Sequence, residues 1–454
     1  MAICASLRAA LFFCSLGACL PVLAQTSSPA GDTAPSWLTP TVDLNSGLPA
    51  WLHFDGQYRN RVERSDHIRF GTAGDTYDLG QFRLQMTIRP LAWLSFVAET
   101  QDSTAFWNQR IPSAPPYQNT WDLHQAYVEI GDAQKSHISA LVGRQVLAFG
   151  EERMIGPSDW LNQGRVFDVA RLDLTYNRLR ATVFASSVVL AREGVLDHHL
   201  QGNNLDGVYL TLSGMPFHST LEPYGLWNIQ PSNAHLANAG LGPMSEATLG
   251  ALWRGKLPGA LEFGVEMDLQ AGSLGTYSIH SWGGHWLVAR RWSGIPLRPR
   301  LFIEGNYATG TKDFTRGTYS TFDEVYPSSH NKLGFADQIG WRNIEHLRMG
   351  IEQTLGSKWK LNETFEEFWL AEARDSLYAS SGAPLFRSPT GAAGRHVGSE
   401  FDFWADYTLN TAITIGFGYS HLFTGEFLNH VTPGKDFNYP FVYLTYRFAN
   451  KPVR

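Results

Sequence analysis

Cysteine is almost missing from the 454 residues: the only three, Cys4, Cys14 and Cys19, fall within the first 24. That opening stretch reads as an export signal, with Arg8 closing a short basic end, apolar residues running from Ala9 to Leu20, and Val22-Leu23-Ala24 standing before Gln25 as a cleavage site. Cleavage after Ala24 leaves a chain without thiols, which excludes disulfides, thiol catalysis and thiolate metal sites. A competing pattern, Leu16-Gly17-Ala18-Cys19, would instead leave Cys19 lipidated. Charge is scarce too, at 17% of residues against roughly 25% in ordinary soluble proteins, so fewer side chains are meant for water. The net charge of −6 comes without any run of Lys and Arg, and nucleic acid is therefore not an expected partner.

Long apolar runs are missing as well. After the signal no stretch of about 18 apolar residues occurs, so a spanning helix is excluded and any membrane crossing falls to strands. No HExxH, Gly-x-Ser-x-Gly or phosphate-binding Gly loop is present. His198-His199 is expected in a solvated loop between strands seven and eight rather than on a metal. Asp402 with Asp406, and Glu262 with Glu266, could be read as carboxylate pairs for sugar hydrolysis, but alternation alone puts both members on one wet face. The sequence therefore predicts no catalytic residue, no cofactor and no metal.

Aromatic residues, by contrast, are abundant, with 15 Trp, 17 Tyr and 27 Phe, enough to furnish two interfacial girdles around a membrane barrel. The dominant pattern is apolar–polar alternation over about ten residues. In residues 51–63, Leu52, Phe54, Gly56, Tyr58 and Val62 share one face, and His53, Asp55, Gln57, Arg59, Arg61 and Glu63 the other. Residues 81–89, 261–270 and 400–407 repeat the split. Strands of this length suit a tilted crossing of the hydrocarbon layer, which needs about 9–11 residues, better than a soluble sandwich with strands nearer six.

Eighteen such segments begin near residues 51, 79, 92, 121, 136, 166, 178, 204, 219, 246, 259, 277, 297, 345, 357, 397, 411 and 438. Short links around 90, 132, 177, 215, 258, 356 and 410 alternate with long ones at 65–78, 103–120, 147–165, 190–203, 230–245, 309–344, 370–396 and 423–437. One link, near 271–276, is short where a long one is due. Short periplasmic turns and long outer loops produce this rhythm, with both termini periplasmic. The predicted fold is an all-β transmembrane antiparallel barrel of about 18 strands. Its organisation is a signal at 1–24, a Pro- and Ser-rich periplasmic lead-in at 25–50, the barrel at 51–449 and a tail at 450–454. Val442, Leu444, Tyr446 and Phe448 form the apolar face of the closing strand, though the tail departs from a terminal aromatic. Glu363 falls on the apolar face of Trp359, Leu361 and Phe365, which predicts a bulge or a position near the membrane surface.

At residues 143–173 the chain reads GRQVLAFGEERMIGPSDWLNQGRVFDVARLD, which resembles the alginate export family of bacterial outer-membrane barrels. YRNRVE at 58–63, QFRLQ at 81–85 and HQAYVE at 124–129 support the likeness over the first third of the barrel. Beyond about residue 180 only the strand pattern matches. The resemblance implies an eighteen-stranded, monomeric outer-membrane barrel that lets an anionic polysaccharide diffuse outward past lumen arginines, although the family also covers members with other cargo.

A uronate polymer carries one carboxylate per sugar, and a guanidinium fork can hold each through two parallel hydrogen bonds. Strand parity nominates Arg59, Arg61, Arg83, Arg171, Arg180, Arg300 and Arg348 as lumen residues; the family-like stretch adds Arg153, Arg165 and Arg144, the last at a position whose facing parity leaves open. The lumen carboxylates Glu63, Glu129, Asp173, Glu262, Glu266, Asp268, Glu352, Asp402 and Asp406 could instead pair with these arginines and simply rigidify the barrel. Three functions follow: passive export of an anionic polysaccharide, a general porin for small polar solutes, or a plugged adhesin. The expected partners are outer-membrane lipid, the transported solute and periplasmic export components.

Overall fold

A strand that turns one face to hydrocarbon and the other inward can satisfy its backbone only by pairing on both edges, which in lipid means closing the sheet. In the computed structural model, which describes residues 44–132, 135–231 and 241–448, the sheet closes. The first nine strands are β1 Leu52–Ser65, β2 Asp75–Leu91, β3 Leu94–Phe106, β4 Asn119–Ile130, β5 Ile138–Gln145, β6 Phe167–Tyr176, β7 Leu179–Leu190, β8 His198–Met215 and β9 Ser219–Gln230. The remaining nine are β10 Met244–Leu257, β11 Leu261–Leu274, β12 Tyr277–Arg291, β13 Arg300–Ala308, β14 Ile344–Leu355, β15 Trp359–Leu370, β16 His396–Thr408, β17 Ile413–Thr424 and β18 Phe437–Phe448. Neighbours in the ring are antiparallel, and β18 seals it against β1 from Gly56↔Phe448 to Glu63↔Phe441.

Number and order of strands agree with the sequence pattern. The largest shift is at β8, which starts at His198 rather than near 204, so His198 and His199 open a strand and do not sit in a loop. The extra pairing, Val189↔His199 and Leu190↔His198, extends the β7–β8 ribbon beyond its bulge. The signal peptide, most of the lead-in, Cys19 and the tail at 450–454 lie outside the described residues.

Connections at the end bearing the first and last strand ends are short. At 177–178 the chain turns in two residues, with Tyr176 paired to Leu179 and Asn177 at φ 53°, a left-handed conformation that Asn tolerates. Connections at the opposite end are long except at Gly275, the expected irregularity. The outer wall carries the aromatics in two bands: exposed Trp51, Trp93, Tyr176 and Phe217 at the short-turn end, and Trp107, Trp121, Trp227 and Phe423 at the long-loop end. Between them the exposed residues are aliphatic, including Val142, Leu172, Val183, Val265 and Leu347. Among the described residues, no helix is long and apolar enough to cross a membrane.

Glu363 does face outward, but no bulge excuses it: β15 pairs β16 in unbroken register from Trp359↔Tyr407 to Phe368↔Gly398, and the shift comes only beyond Phe368. The residue stands four positions from the short-turn end of its strand, where a charge on the lipid face costs less than at mid-bilayer.

Candidate functional site

The inner wall does not enclose an empty tube. The 146–166 loop and the 309–343 loop both fold into the lumen, where Ile155 and Tyr326 pair as neighbouring parallel strands do. Backbone bonds lock the two together: Gly156 N donates to Tyr326 O at 2.9 Å, Tyr326 N to Met154 O at 2.9 Å and Ser328 N to Glu152 O at 2.9 Å. Around this ladder Leu147, Ile155, Phe322, Phe335, Trp341 and Phe427 are buried almost completely. Each such side chain contributes about 1.5–3 kcal/mol of burial, against about 1 kcal/mol for a hydrogen bond, so apolar packing dominates the seating of the loops.

Polar groups decide where that plug is anchored. On one side, the segments that carry the family resemblance meet. Arg59 donates to the carbonyls of Asp159 at 2.7 Å and Leu161 at 3.1 Å. Arg61 donates to Trp160 O, pairs with Glu63, and lies over the Trp160 ring at 4.0 Å. Arg83 takes Asp159 Oδ1 at 3.1 Å, while Gln81 and Ser103 both donate to Asn162 O. The Asn162 amide then donates back to the carbonyls of Gly80, Thr104 and Tyr117. YRNRVE and QFRLQ thus grip the DWLNQ stretch of the third segment, and Trp160 stacks on His330 of the other loop at 4.1 Å.

The remaining nominated residues divide clearly. Arg171 and Arg180 reach Asp173 at 3.0 and 3.5 Å, and Arg300 bridges Glu262 and Glu352 at 2.7 and 2.8 Å. Arg153 binds Glu304 at 2.8 Å from the loop, and Arg348 binds Glu366 at 3.0 Å. Glu129 is on the inner face, opposite Ser95. Arg165 donates to Gly156 O and Pro327 O; burial lowers its pKa to about 10, with no carboxylate at ion-pair distance among the described residues. Among the described residues Arg59 likewise has only carbonyl partners. Arg144 is the correction: β5 buries Ser139, Leu141 and Gln145 inward, so Arg144 faces outward and joins Asp168 at 2.9 Å, which His199 also contacts. Among the described residues no group of His, Asp and Glu is arranged to hold a metal ion.

Opposite the arginine clamp, acids hold the second loop. Glu400 accepts from Ala336 N at 2.9 Å and Asp402 from Phe335 N at 3.3 Å. Gln270 donates to Asp323 O at 2.6 Å, Arg342 pairs with Asp323, and Glu324 accepts from Trp341 N at 2.8 Å. Glu266 and Asp268 both receive Tyr224 Oη. Burial raises the Glu324 carboxyl to about 7, against the pull of Arg342 and the Trp341 N–H. The docked loop therefore holds a proton that the released carboxyl sheds near 4.5, and this contribution to docking is lost as pH rises through about 7. Protease cleavage within 309–343 should accordingly increase over that window, and Glu324→Gln, which keeps the acceptor, should flatten the increase; an unaltered slope in the variant would assign the effect elsewhere.

Exposure then grades along the axis. Toward the long loops, inner-face residues such as Glu63, Ser103, Leu205, Ile279 and Glu400 are buried by the plug. Toward the short turns, the Arg180 and Arg254 side chains are 40% and 43% exposed, and Lys360 and Arg447 are open. The result is a wet vestibule at the short-turn end that narrows against packed loops. Parity does place Lys360, between Trp359 and Leu361, and Arg447, between Tyr446 and Phe448, on the wet face, though neither was nominated, while Trp160 and Asn162 lie in the loop part of the family-like stretch, where alternation says nothing.

A family model described as alginate export matches residues 50–442. The chain is similar in structure to the Pseudomonas aeruginosa outer-membrane protein OpdK, with 10% identity, a TM-score of 0.60, and 87% of this chain and 98% of that one covered. OpdK has also been solved with vanillate. OccK11 (OpdR) of the same organism is similar at 12% identity and a TM-score of 0.56, covering 87% and 96% of the two chains. OccAB4 of Acinetobacter baumannii has 10% identity and a TM-score of 0.55, covering 87% and 98%. At such identities these likenesses speak to the fold. No curated protein matches the sequence. The chain belongs to the alginate export family and is a bacterial outer-membrane channel.

Proposed function

We propose that the channel passes an anionic, alginate-like polysaccharide outward by diffusion, entering at the short-turn vestibule. The observation that carries this reading is the family match, which spans nearly the whole barrel. The wall beside the clamp supports it: among the described residues Arg59 has no carboxylate at ion-pair distance, and Arg83 Nη2 is buried without a hydrogen-bond partner. Weak, repeated contacts of this kind suit conduction, which needs binding that is easily left. In planar bilayers the purified barrel should conduct anions in preference to cations and be blocked by uronate oligomers. Cation preference without block would overturn the proposal.

One observation favours a second reading. The packed loops and the dense pairing of Arg153, Arg171, Arg300 and Arg348 with carboxylates leave less room and less charge than a polymer path would use. On that reading the substrate is a small carboxylate, of the size of the vanillate held by OpdK, and liposomes bearing the barrel would swell in such solutes.

A further inference from the structure

An open inner-wall cavity lies away from the clamp, in the vestibule where β15 to β18 end. It has a volume of about 250 Å³ and is lined by Lys360, Asp406, Thr408, Thr414, Tyr443, Thr445 and Arg447, with almost no apolar surface. The register explains how the residues converge: Lys360 faces Asp406 across β15 and β16, Thr408 faces Thr414, and Thr414 faces Thr445. Gly416 shapes the floor, because a Cβ there would strike the Tyr443 ring at 2.2 Å. The ring can therefore lie across β17, and its hydroxyl reaches Asp406. Trp404 Nε1 also donates to Asp406, at 3.0 Å.

Both bonds fall on one oxygen, Oδ1, of the cavity's one lining carboxylate. Lys360 and Arg447 are left with no acid at ion-pair distance among the described residues, and three threonine hydroxyls stand between them. Two cations against one anion, with a rim of hydroxyls, form a receptor for a group that is itself acidic and rich in hydroxyls. The volume lies below the roughly 300 Å³ at which drug-sized pockets begin, so the cavity takes one sugar ring at a time and not a folded chain.

We infer that this cavity is the loading site for a carboxylated sugar ring at the short-turn mouth, an inference that rests on the polysaccharide reading above. Lys360 and Arg447 receive the carboxylate, and Thr408, Thr414 and Thr445 bond the ring hydroxyls. Because both cations are open to water, their pull is weak, and the ring moves on toward the arginines at the plug.

The test is block of bilayer current by a defined trimer of uronate, added to one side at a time, with a neutral trisaccharide for comparison. In the native barrel, block from the short-turn side is expected at the lower uronate concentration. The double variant Lys360→Gln with Arg447→Gln should raise that half-blocking concentration about tenfold. Block from the long-loop side, and the weak effect of the neutral sugar, should not change. If the variant is blocked as readily as the native barrel from the short-turn side, the loading site is refuted while the polysaccharide reading stands. If uronate blocks the native barrel from neither side, the polysaccharide reading itself fails and the site falls with it.

Discussion

Replacing Arg61 with Gln is expected to cost the barrel about 3–5 kcal/mol, read as a lower urea midpoint for unfolding from lipid vesicles. Arg61 and Glu63 sit two residues apart on β1, both facing inward, and are 2% and 3% exposed. Removing the guanidinium leaves Glu63 as a buried charge whose partner is gone, the costly half of any buried ion pair. It also removes the contacts to the Trp160 carbonyl and ring, together worth about 1–2 kcal/mol. The two contributions separate in a double variant. Arg61→Gln with Glu63→Gln deletes both charges and should recover more than half of the loss, leaving the part that belongs to Trp160. A loss below about 1 kcal/mol in the single variant would mean that the pair anchors nothing.

That result would also explain why some of this molecule is readable in sequence and some is not. Strand number and order were legible because hydrocarbon enforces a two-residue period, as in Leu261, Phe263 and Val265 against Glu262 and Glu266. The facing of Arg144 was not legible, because β5 is apolar on both faces: Leu141 points inward and Val142 outward, so alternation is silent there. The inward loops were hidden for a different reason. Gly, Pro and Ser in GPSDW read as a solvated connection, while the real signal lay in the 309–343 loop, whose Phe322, Phe335 and Trp341 are too apolar for a connection left in water. Arginines placed by parity therefore reached the correct wall, yet Arg61 faces a loop backbone and a neighbouring acid, partners that no single-strand pattern can show.

Excising residues 151–163 and closing the gap with a short Gly-Ser link is expected to raise single-channel conductance several-fold. The deletion removes Arg153, Ile155 and Trp160 together, and with them one strand of the lumen ladder, the ring stacked on His330, the backbone held by Arg59 and Arg61, and the Asp159 carboxylate held by Arg83. The wall should survive, because β5 and β6 pair directly from Ile138↔Leu174 to Gln145↔Phe167 without help from the loop. Retained β-structure by circular dichroism and heat-dependent gel mobility would confirm that. With the clamp emptied, Arg59 and Arg61 lose their loop carbonyls and Arg83 its carboxylate, and all three face the lumen, so anion preference should rise along with conductance. The 309–343 loop, still pinned by Glu400, Asp402 and Gln270, is expected to stay seated and keep the current finite. Unchanged conductance in a correctly folded variant would show that ions already pass beside the 146–166 loop, and would move the constriction to the 309–343 loop alone.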